Sequence, residues 1–260
     1  MTVTAPPYPS SHALLEGKTV LITAAAGTGI GYATARRCVE EGATVMISDI
    51  HERRLREAAA KLGEIGSSPV ASMLCNVAKE QDVAALVARA TDELGRIDLL
   101  INNAGLGGTA NVVDMTDEQW HAVLDVTLTG TFRMMRAVLP QMIKRGSGVI
   151  VNNASVLAWR AQAGQAHYAA AKAGVAALTR CAAIEAAPYG VRVNAVAPSL
   201  AMHRYLSKAI PQETLDELVG LEAFNRSAET WEVANVMVFL ASDYSSYMTG
   251  EVVSVSSQRA

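Results

Sequence analysis

The sequence predicts an α/β fold: a single domain built as a three-layer, doubly wound parallel sheet. Three observations point there. Short β-branched, apolar runs alternate with helical stretches along most of the chain, the pattern of successive right-handed βαβ crossovers. Half of the 260 residues are hydrophobic while only 5% are aromatic, a balance that suits aliphatic helices laid on a parallel sheet. A glycine-bearing turn directly follows the first apolar run.

The elements follow in order. Thr19–Thr23 reads as the first strand; AAAGTGIG comes next, and Tyr32–Glu41 is helical, with Arg36, Arg37 and Glu40 facing outward. Ala43–Ser48 is a second buried strand ending at Asp49; Arg53–Leu62 is a helix, Val70–Cys75 a third strand, and Glu80–Leu94 a helix closed by Gly95. Leu99–Asn102 is the fourth strand, broken by Asn103-Ala104-Gly105. Asp117–Leu139 reads as one long helix that stops near Pro140. Val149–Asn152 is a fifth strand, Gln165–Glu185 an Ala-rich helix, and Val191–Val196 a sixth strand before Pro198. Ser199–Phe224 reads as irregular, Trp231–Leu240 as a helix and Glu251–Val255 as the last strand. There is no linker and no repeat beyond this alternation. Residues 1–13, rich in Pro and Ser, read as a disordered arm, and 14–260 as the domain.

Composition excludes several functions. The net charge is −3 and no stripe of Lys and Arg stands out, so no nucleic-acid partner is expected. No apolar run is long enough for a membrane span, and the N-terminus lacks the basic and apolar regions of a signal peptide. Cys38, Cys75 and Cys181 are scattered, with no metal-like spacing, so no metal is expected and reduced thiols in a cytoplasm are.

The first chemical signal is positional. Gly27, Gly29 and Gly31 sit where a strand turns into a helix, with Thr28 and Ile30 between them. Without Cβ atoms the backbone can approach a pyrophosphate, and the helix start offers unpaired N–H groups. A flexible turn that binds nothing is the plain alternative; the place after strand one and before helix one sets the cluster apart. Asp49 closes the second strand twenty residues beyond Gly29, where a carboxylate can accept from ribose hydroxyls and repel a 2′-phosphate. Ile50, not an arginine, follows. NAD(H) is therefore the preferred cofactor; His51, Arg53 and Arg54 lie just beyond and leave NADP(H) open.

The second signal is a constellation. Tyr168 and Lys172, four apart in a helical stretch, project from one face. An ammonium near a phenol lowers a pKa that starts near ~10, and a phenol so tuned can exchange a proton with an alcohol or carbonyl oxygen. Ser155, thirteen residues before Tyr168 and just past the fifth strand, can hydrogen-bond the same oxygen. A Tyr-x-x-x-Lys pair alone is commonly a surface aromatic beside a lysine stem. Combined with the strand-end serine and the upstream glycines, it reads as a catalytic set.

These residues resemble the short-chain dehydrogenase/reductase family from about Leu15 to Val255. The motifs are the Gly27–Gly31 turn, Asn102-Asn103-Ala104-Gly105, Ser155, Tyr168-x-x-x-Lys172, Arg192-Val193-Asn194 before Pro198, and Leu240-Ala241-Ser242-Asp243 with Thr249-Gly250. The resemblance implies a Rossmann-type fold of seven parallel strands and a homotetramer or homodimer. It implies that Lys172 holds the nicotinamide ribose while Tyr168 acts as acid or base. Further cofactor contacts are implied for Asn76 and Val77, for Asn103, Ala104 and Gly105, and for Pro198, Ser199 and Ala201. Several places depart from the family pattern. Ala24 and Ala25 stand where Thr-Gly is usual, Asn76 replaces an adenine-contacting Asp, and Thr127 replaces the fourth catalytic residue, an Asn. Ser199 follows Pro198 in place of Gly, His203 stands in for a carboxamide-contacting Thr, and Ser256-Ser257-Gln258 replaces Asp-Gly-Gly.

Ser199–Phe224 is the segment expected to cover the substrate. Its Leu200, Met202, Leu206, Ile210, Leu218, Leu221 and Phe224 are interleaved with His203, Arg204 and Lys208. It reads either as an amphipathic flap packed on its own domain or as a cover over a bulky apolar alcohol or ketone, with Trp159 lining the same cleft. Short stretches, Ile22–Gly31 and Ser199–His203, are similar to dehydrogenases of actinobacterial steroid breakdown, which implies a steroid-like or acyl-CoA-like substrate. An enoyl or dienoyl reductase and a dinucleotide-binding protein without turnover are the competing readings.

Overall fold

The computed structural model describes residues 3–66, 69–203 and 212–257. Seven strands form the central parallel sheet: β1 (Thr19–Ile22), β2 (Thr44–Asp49), β3 (Ala71–Leu74), β4 (Leu99–Asn102), β5 (Gly148–Asn153), β6 (Val191–Pro198) and β9 (Val252–Val255). Their order is β3-β2-β1-β4-β5-β6-β9, so the chain reverses direction across the sheet between β1 and β4. A separate short pair, β7 (Ala201–Met202) with β8 (Ala228–Glu229), lies outside it.

Period-two alternation divides the core into two layers. Val20 and Ile22 of β1, with Leu99 and Ile101 of β4, face one layer; Leu21 and Leu100 face the other. Each central strand is thus apolar on both sides, as a sheet covered on both faces requires. The helices α1 (Ile30–Glu40), α2 (Glu52–Gly63) and α8 (Thr230–Ala241) supply the first layer, through Ala35, Cys38, Leu55 and Met237. The second comes from α3 (Glu80–Leu94) and α5 (Gly130–Arg145), through Leu86, Met134 and Val138. The three-layer, doubly wound fold expected from the alternation is the one observed. Among the described residues no helix is long and apolar enough to cross a membrane.

Two expectations about secondary structure need correction. The helix does not stop near Pro140: α4 (Asp117–Leu124) runs through a π-helical turn, Asp125–Thr129, into α5, which contains Pro140 and ends at the left-handed Gly146. Proline removes its own N–H bond to the carbonyl four residues back and crowds that carbonyl, and Val138 and Met142, both buried and on either side of it, hold the helix on the core. Residues 199–224 are not wholly irregular, since they include β7 and the helix α7 (Gln212–Gly220). Arg204, Leu206, Lys208 and Ile210 lie outside the described residues.

The N-terminal arm is docked rather than loose. It has no helix or strand, yet the Tyr8 ring meets Trp231 edge-on at 5.5 Å, and the Arg36 and Arg37 guanidinium groups lie 4.8 and 5.4 Å from its centroid. Arg37 donates to the Pro9 carbonyl at 3.0 Å, and Glu41, fully buried and ion-paired to Arg37, accepts from the His12 and Leu14 N–H groups. Composition signals disorder where no apolar surface can be buried; here one aromatic and a buried ion pair anchor the arm.

Candidate active site

The ends of the parallel strands open onto a cavity of about 1420 Å³ at the point where the strand order reverses. Its lining joins the glycine turn (Gly29, Ile30, Gly31), the loop after β4 (Asn103, Gly105–Thr109), the end of β5 with Ser155, the face of α6 (Ala166–Ala186) that bears Tyr168 and Lys172, and the Pro198–Ala201 turn. Five segments distant in sequence thus meet because parallel strands all end on one side.

The proposed set is assembled by two local devices. β5 ends at Asn153, and Ser155 caps a short 3-10 turn, its hydroxyl accepting from the Leu157 N–H at 3.2 Å. Tyr168 and Lys172 stand one helical turn apart, and the Lys172 ammonium lies 5.5 Å from the Tyr168 ring centroid. Lys172 donates to the Asn153 carbonyl, and the Tyr168 and Ser155 hydroxyls are hydrogen-bonded. Burial pushes the Tyr168 phenol up to about 12, against which the Ser155 hydrogen bond works; burial also brings Lys172 down to about 8. The expectation that Lys172 lowers the phenol is thus not met in this state. The ammonium is turned to the Asn153 carbonyl, and desolvation of the phenol dominates.

Thr127 sits fully buried in the π-helical turn. Its hydroxyl donates to the Leu106 carbonyl at 3.2 Å and accepts from the Leu106 N–H at 3.0 Å, so it clasps the loop after β4. A Cβ on Gly105 would lie 3.4 Å from the Lys172 ammonium and 3.8 Å from the Thr127 hydroxyl, so both groups border Gly105. The Thr127 carbonyl already accepts from the Thr131 hydroxyl at 2.8 Å.

The glycine turn fits a dinucleotide. Gly29, Ile30 and Gly31 bring the N-terminus of α1 to the cavity wall, where its first N–H groups can meet a pyrophosphate. Gly31 admits no side chain: a Cβ would come within 2.4 Å of the Ala24 carbonyl and of Asn103 Nδ2. Gly27 has φ +100°, and Ala24, in the place usually held by Thr, has φ +51°, a left-handed conformation costly for a residue with a Cβ. Thr28 is exposed. Asp49 is buried at the end of β2, accepting from Ala26 N at 3.2 Å and His51 N at 3.0 Å; burial raises its carboxyl, and the Ala26 bond and Arg54 charge oppose this. Ile50 is exposed beside it. Asn76 accepts from Ala78 N through its own side chain, and Val77 is buried. Asp49, Ile50, Asn76 and Val77 lie at the ends of β2 and β3 and do not line the large cavity.

Several expected residues are placed elsewhere, and others were missed. Trp159 is 49% exposed and absent from the cavity wall; Leu157 and Arg160 line it instead. Leu218 and Leu221 line the cavity, whereas Phe224 does not. His203 lies there too, its ring 4.0 Å from where a Gly29 Cβ would be, and burial lowers its imidazole. Sequence reasoning missed Thr23, whose buried hydroxyl accepts from the Asn103 and Ala104 N–H groups, and Asn153, whose amide donates to Asn103 Oδ1 at 2.9 Å. Both stand at strand ends, which is the signal that could have found them. Glu222, a buried carboxyl in the wall, gave no signal.

Comparison with known proteins agrees with this geometry. A family model described as "Enoyl-(Acyl carrier protein) reductase" matches residues 24–257. The chain is 60% identical over 255 residues to the (5R,7aS)-5-hydroxy-7a-methyl-1-oxo-2,3,5,6,7,7a-hexahydro-1H-indene-carboxyl-CoA reductase of Mycobacterium tuberculosis, covering 98% of this chain and 97% of that one. It is 40% identical over 241 residues to the 3-oxoacyl-(acyl-carrier-protein) reductase of Thermotoga maritima, covering 93% and 97%. Among solved structures it is similar to a short chain dehydrogenase from Mycobacterium smegmatis, with a TM-score of 0.88, 56% identity and 99% of each chain covered. It is also similar to an NAD+-bound xylitol dehydrogenase, with a TM-score of 0.88, 32% identity, and 94% and 99% covered.

Proposed function

We propose, for a chain that belongs to the short-chain dehydrogenase/reductase family of oxidoreductases, NAD(H)-dependent hydride transfer between the nicotinamide and a secondary alcohol or ketone on a bulky apolar substrate. The observation that carries this reading is the Tyr168–Ser155 hydroxyl pair beside the Lys172 ammonium, inside the cavity that the glycine turn enters.

The dinucleotide, when bound, supplies the hydride. Tyr168 gives its phenol proton to the carbonyl oxygen in reduction and takes it back in oxidation. Ser155 donates a hydrogen bond to the same oxygen and holds it near the phenol. Lys172 keeps a positive charge below the ring and binds the nicotinamide ribose. Asp49 accepts from the adenosine ribose and disfavours a 2′-phosphate, which supports NAD(H) over NADP(H). A substrate with an apolar ring system fits a wall containing Leu106, Leu157, Leu200, Leu218 and Leu221, and Arg160 lies in the same wall. The name of the 60% identical relative, a bicyclic carboxyl-CoA reductase, supports a CoA thioester of this kind.

NADH and NADPH binding followed by fluorescence, then turnover of bicyclic ketones, keto steroids and 3-oxoacyl-CoA thioesters, tests the proposal. Tighter NADH binding and reduction of at least one bulky ketone are expected. Binding without turnover of any carbonyl or alcohol would leave a dinucleotide-binding protein. The description of the family model keeps enoyl reduction as a second reading, and crotonyl-CoA in the same panel decides it; turnover of crotonyl-CoA alone would replace the carbonyl reading.

A further inference from the structure

Both walls of the cavity are joined at one buried carboxyl group. Glu222 is 2% exposed and lies in the cavity wall, just past the end of α7. Its Oε1 accepts from the Leu200 N–H at 3.4 Å, and its Oε2 accepts from the Ser257 N–H at 3.2 Å and the Ser257 hydroxyl at 2.8 Å. The Ala223 N–H donates in return to the Ser257 carbonyl at 2.8 Å, so three hydrogen bonds join the C-terminal tail to the chain after α7. Leu200 follows the Pro198–Ser199 turn, and Ser199 donates to the Val255 carbonyl at 3.2 Å. Three segments therefore cross at Glu222: the turn on the cofactor side, the end of the substrate-covering segment, and the tail beyond β9.

Burying a carboxyl group is costly unless hydrogen bonds satisfy it, and an apolar residue would fill such a wall at lower cost. Two of the three donors are backbone N–H groups, fixed by the chain's path, which gives the group a defined position between the two walls. Ser257 stands where the family pattern has glycine, so the tail's hydroxyl donor is a feature of this chain.

We propose that Glu222 is a positioning residue that couples the Pro198–Leu200 turn to α7, so that the turn against which the dinucleotide lies sets where the substrate cover sits. Glu222 does not touch the reacting atoms; it acts through Leu200 and Ser257. The proposal rests on the carbonyl-reductase reading of this cavity.

The test uses the full chain as wild type, Glu222→Gln, Ser257→Ala and the double variant. Hydrogen exchange of residues 212–221 is measured with and without NADH, and KM and kcat are measured for whichever ketone of the panel the wild type reduces. In the wild type, NADH should slow exchange in 212–221. Glu222→Gln should abolish that slowing and raise KM roughly tenfold while leaving kcat within about twofold, since one hydrogen-bonded carboxylate acceptor is lost away from the chemistry. Ser257→Ala should do the same more weakly, and the double variant should add little to Glu222→Gln. An NADH effect on 212–221 that survives in both single variants would overturn the proposal, as would kcat and KM changing only in step with a general rise in exchange across α6. If the wild type binds NADH but reduces no carbonyl, the catalytic reading fails, and the exchange experiment still decides the role of Glu222.

Discussion

The floor of the cavity and its rim are built on different principles. The floor is set by adjacent secondary structure. Asn102 of β4 donates to Asn152 of β5 at 2.9 Å, and Asn152 donates to Thr179 of α6 at 2.9 Å, a buried ladder that fixes α6 against the strands. Tyr168 and Lys172 ride on that helix, and Lys172 is 2% exposed. The described rim, residues 198–203 and 212–225, is held by contacts between segments far apart in the chain: Leu200 to Glu222, Glu222 to Ser257, and the Val3 N–H to the Phe224 carbonyl at 3.0 Å. Two of its apolar residues are open, Leu221 at 60% exposure and Phe224 at 47%, while Leu200 and Leu215 are buried. A rigid floor can hold a proton donor to within tenths of an ångström, while a rim tied by a few long-range bonds can change with the substrate.

The comparison is broken most directly at the floor. Tyr168→Phe should lower kcat by roughly 10²–10⁴-fold or more, because the proton donor is lost, while NADH affinity measured by fluorescence stays within about twofold. Retained turnover would mean that the proton comes from elsewhere and that the floor's order serves only the fold.

Lys172→Met should abolish turnover yet stabilise the fold. Burial brings the amine down to about 8 from 10.5, so at neutral pH the protein holds a desolvated charge at a cost. Below pH 8 the amine is charged in both folded and unfolded chains, and the full cost counts against folding. Between about 8 and 10.5 the folded chain sheds its proton first, the unfolded chain binds more protons, and stability rises with pH. The variant lacks that rise, so its Tm at pH 7 should exceed the wild type's by several degrees, at about 2–4 °C per kcal/mol for a chain of this size. The gap should narrow by about pH 9.5. A gap that widens with pH would contradict the assignment.

How far each region could be read from the sequence follows from the same contrast. Strand alternation and Tyr168-x-x-x-Lys172 are local patterns, so the sheet, α6 and the face carrying both side chains were legible from spacing alone. Ser155 alone reads as a loop residue, and it stood out only in combination with the Tyr168/Lys172 pair and the upstream glycine turn. Pro140 misled because proline's local rule against helix interiors yields to burial of Val138 and Met142 on either side of it. The arm misled for the opposite reason: composition averaged away one tyrosine, whose ring packs against Trp231 more than two hundred residues on. Glu222 could not be read at all, since its partners lie 22 and 35 residues away and nothing in Leu-Glu-Ala-Phe distinguishes it from a surface glutamate. Trp159 was assigned to the cleft by proximity to Ser155, but the 3-10 turn rotates it outward and leaves Leu157 facing in.

Asp49 lies between the two regimes, a buried strand-end residue whose proposed role concerns the cofactor rather than the proton. Asp49→Asn keeps a carbonyl oxygen for the Ala26 or His51 N–H group and removes the charge that faces a 2′-phosphate. The ratio of kcat/KM for NADPH over NADH should rise roughly tenfold, a change of about 1.4 kcal/mol. An unchanged ratio would move cofactor choice to His51 or Arg54, which lie just beyond.

Thr127→Val is the finest cut, because it separates the floor from the loop laid over it without altering shape. The variant loses the donor to the Leu106 carbonyl and the acceptor for the Leu106 N–H, both in a buried place, and should cost about 1–3 kcal/mol in stability by urea unfolding. Its effect on kcat discriminates between two roles. If Thr127 only clasps the loop, kcat should fall less than about tenfold and Thr127→Ser should restore it fully, since serine carries the same donor and acceptor. If Thr127 instead relays a proton from Lys172, kcat should fall further and the pH dependence attributed to that amine should shift with it. The clasp is the expected outcome: the hydroxyl is engaged in both directions with Leu106, and its one proton is already given to the Leu106 carbonyl.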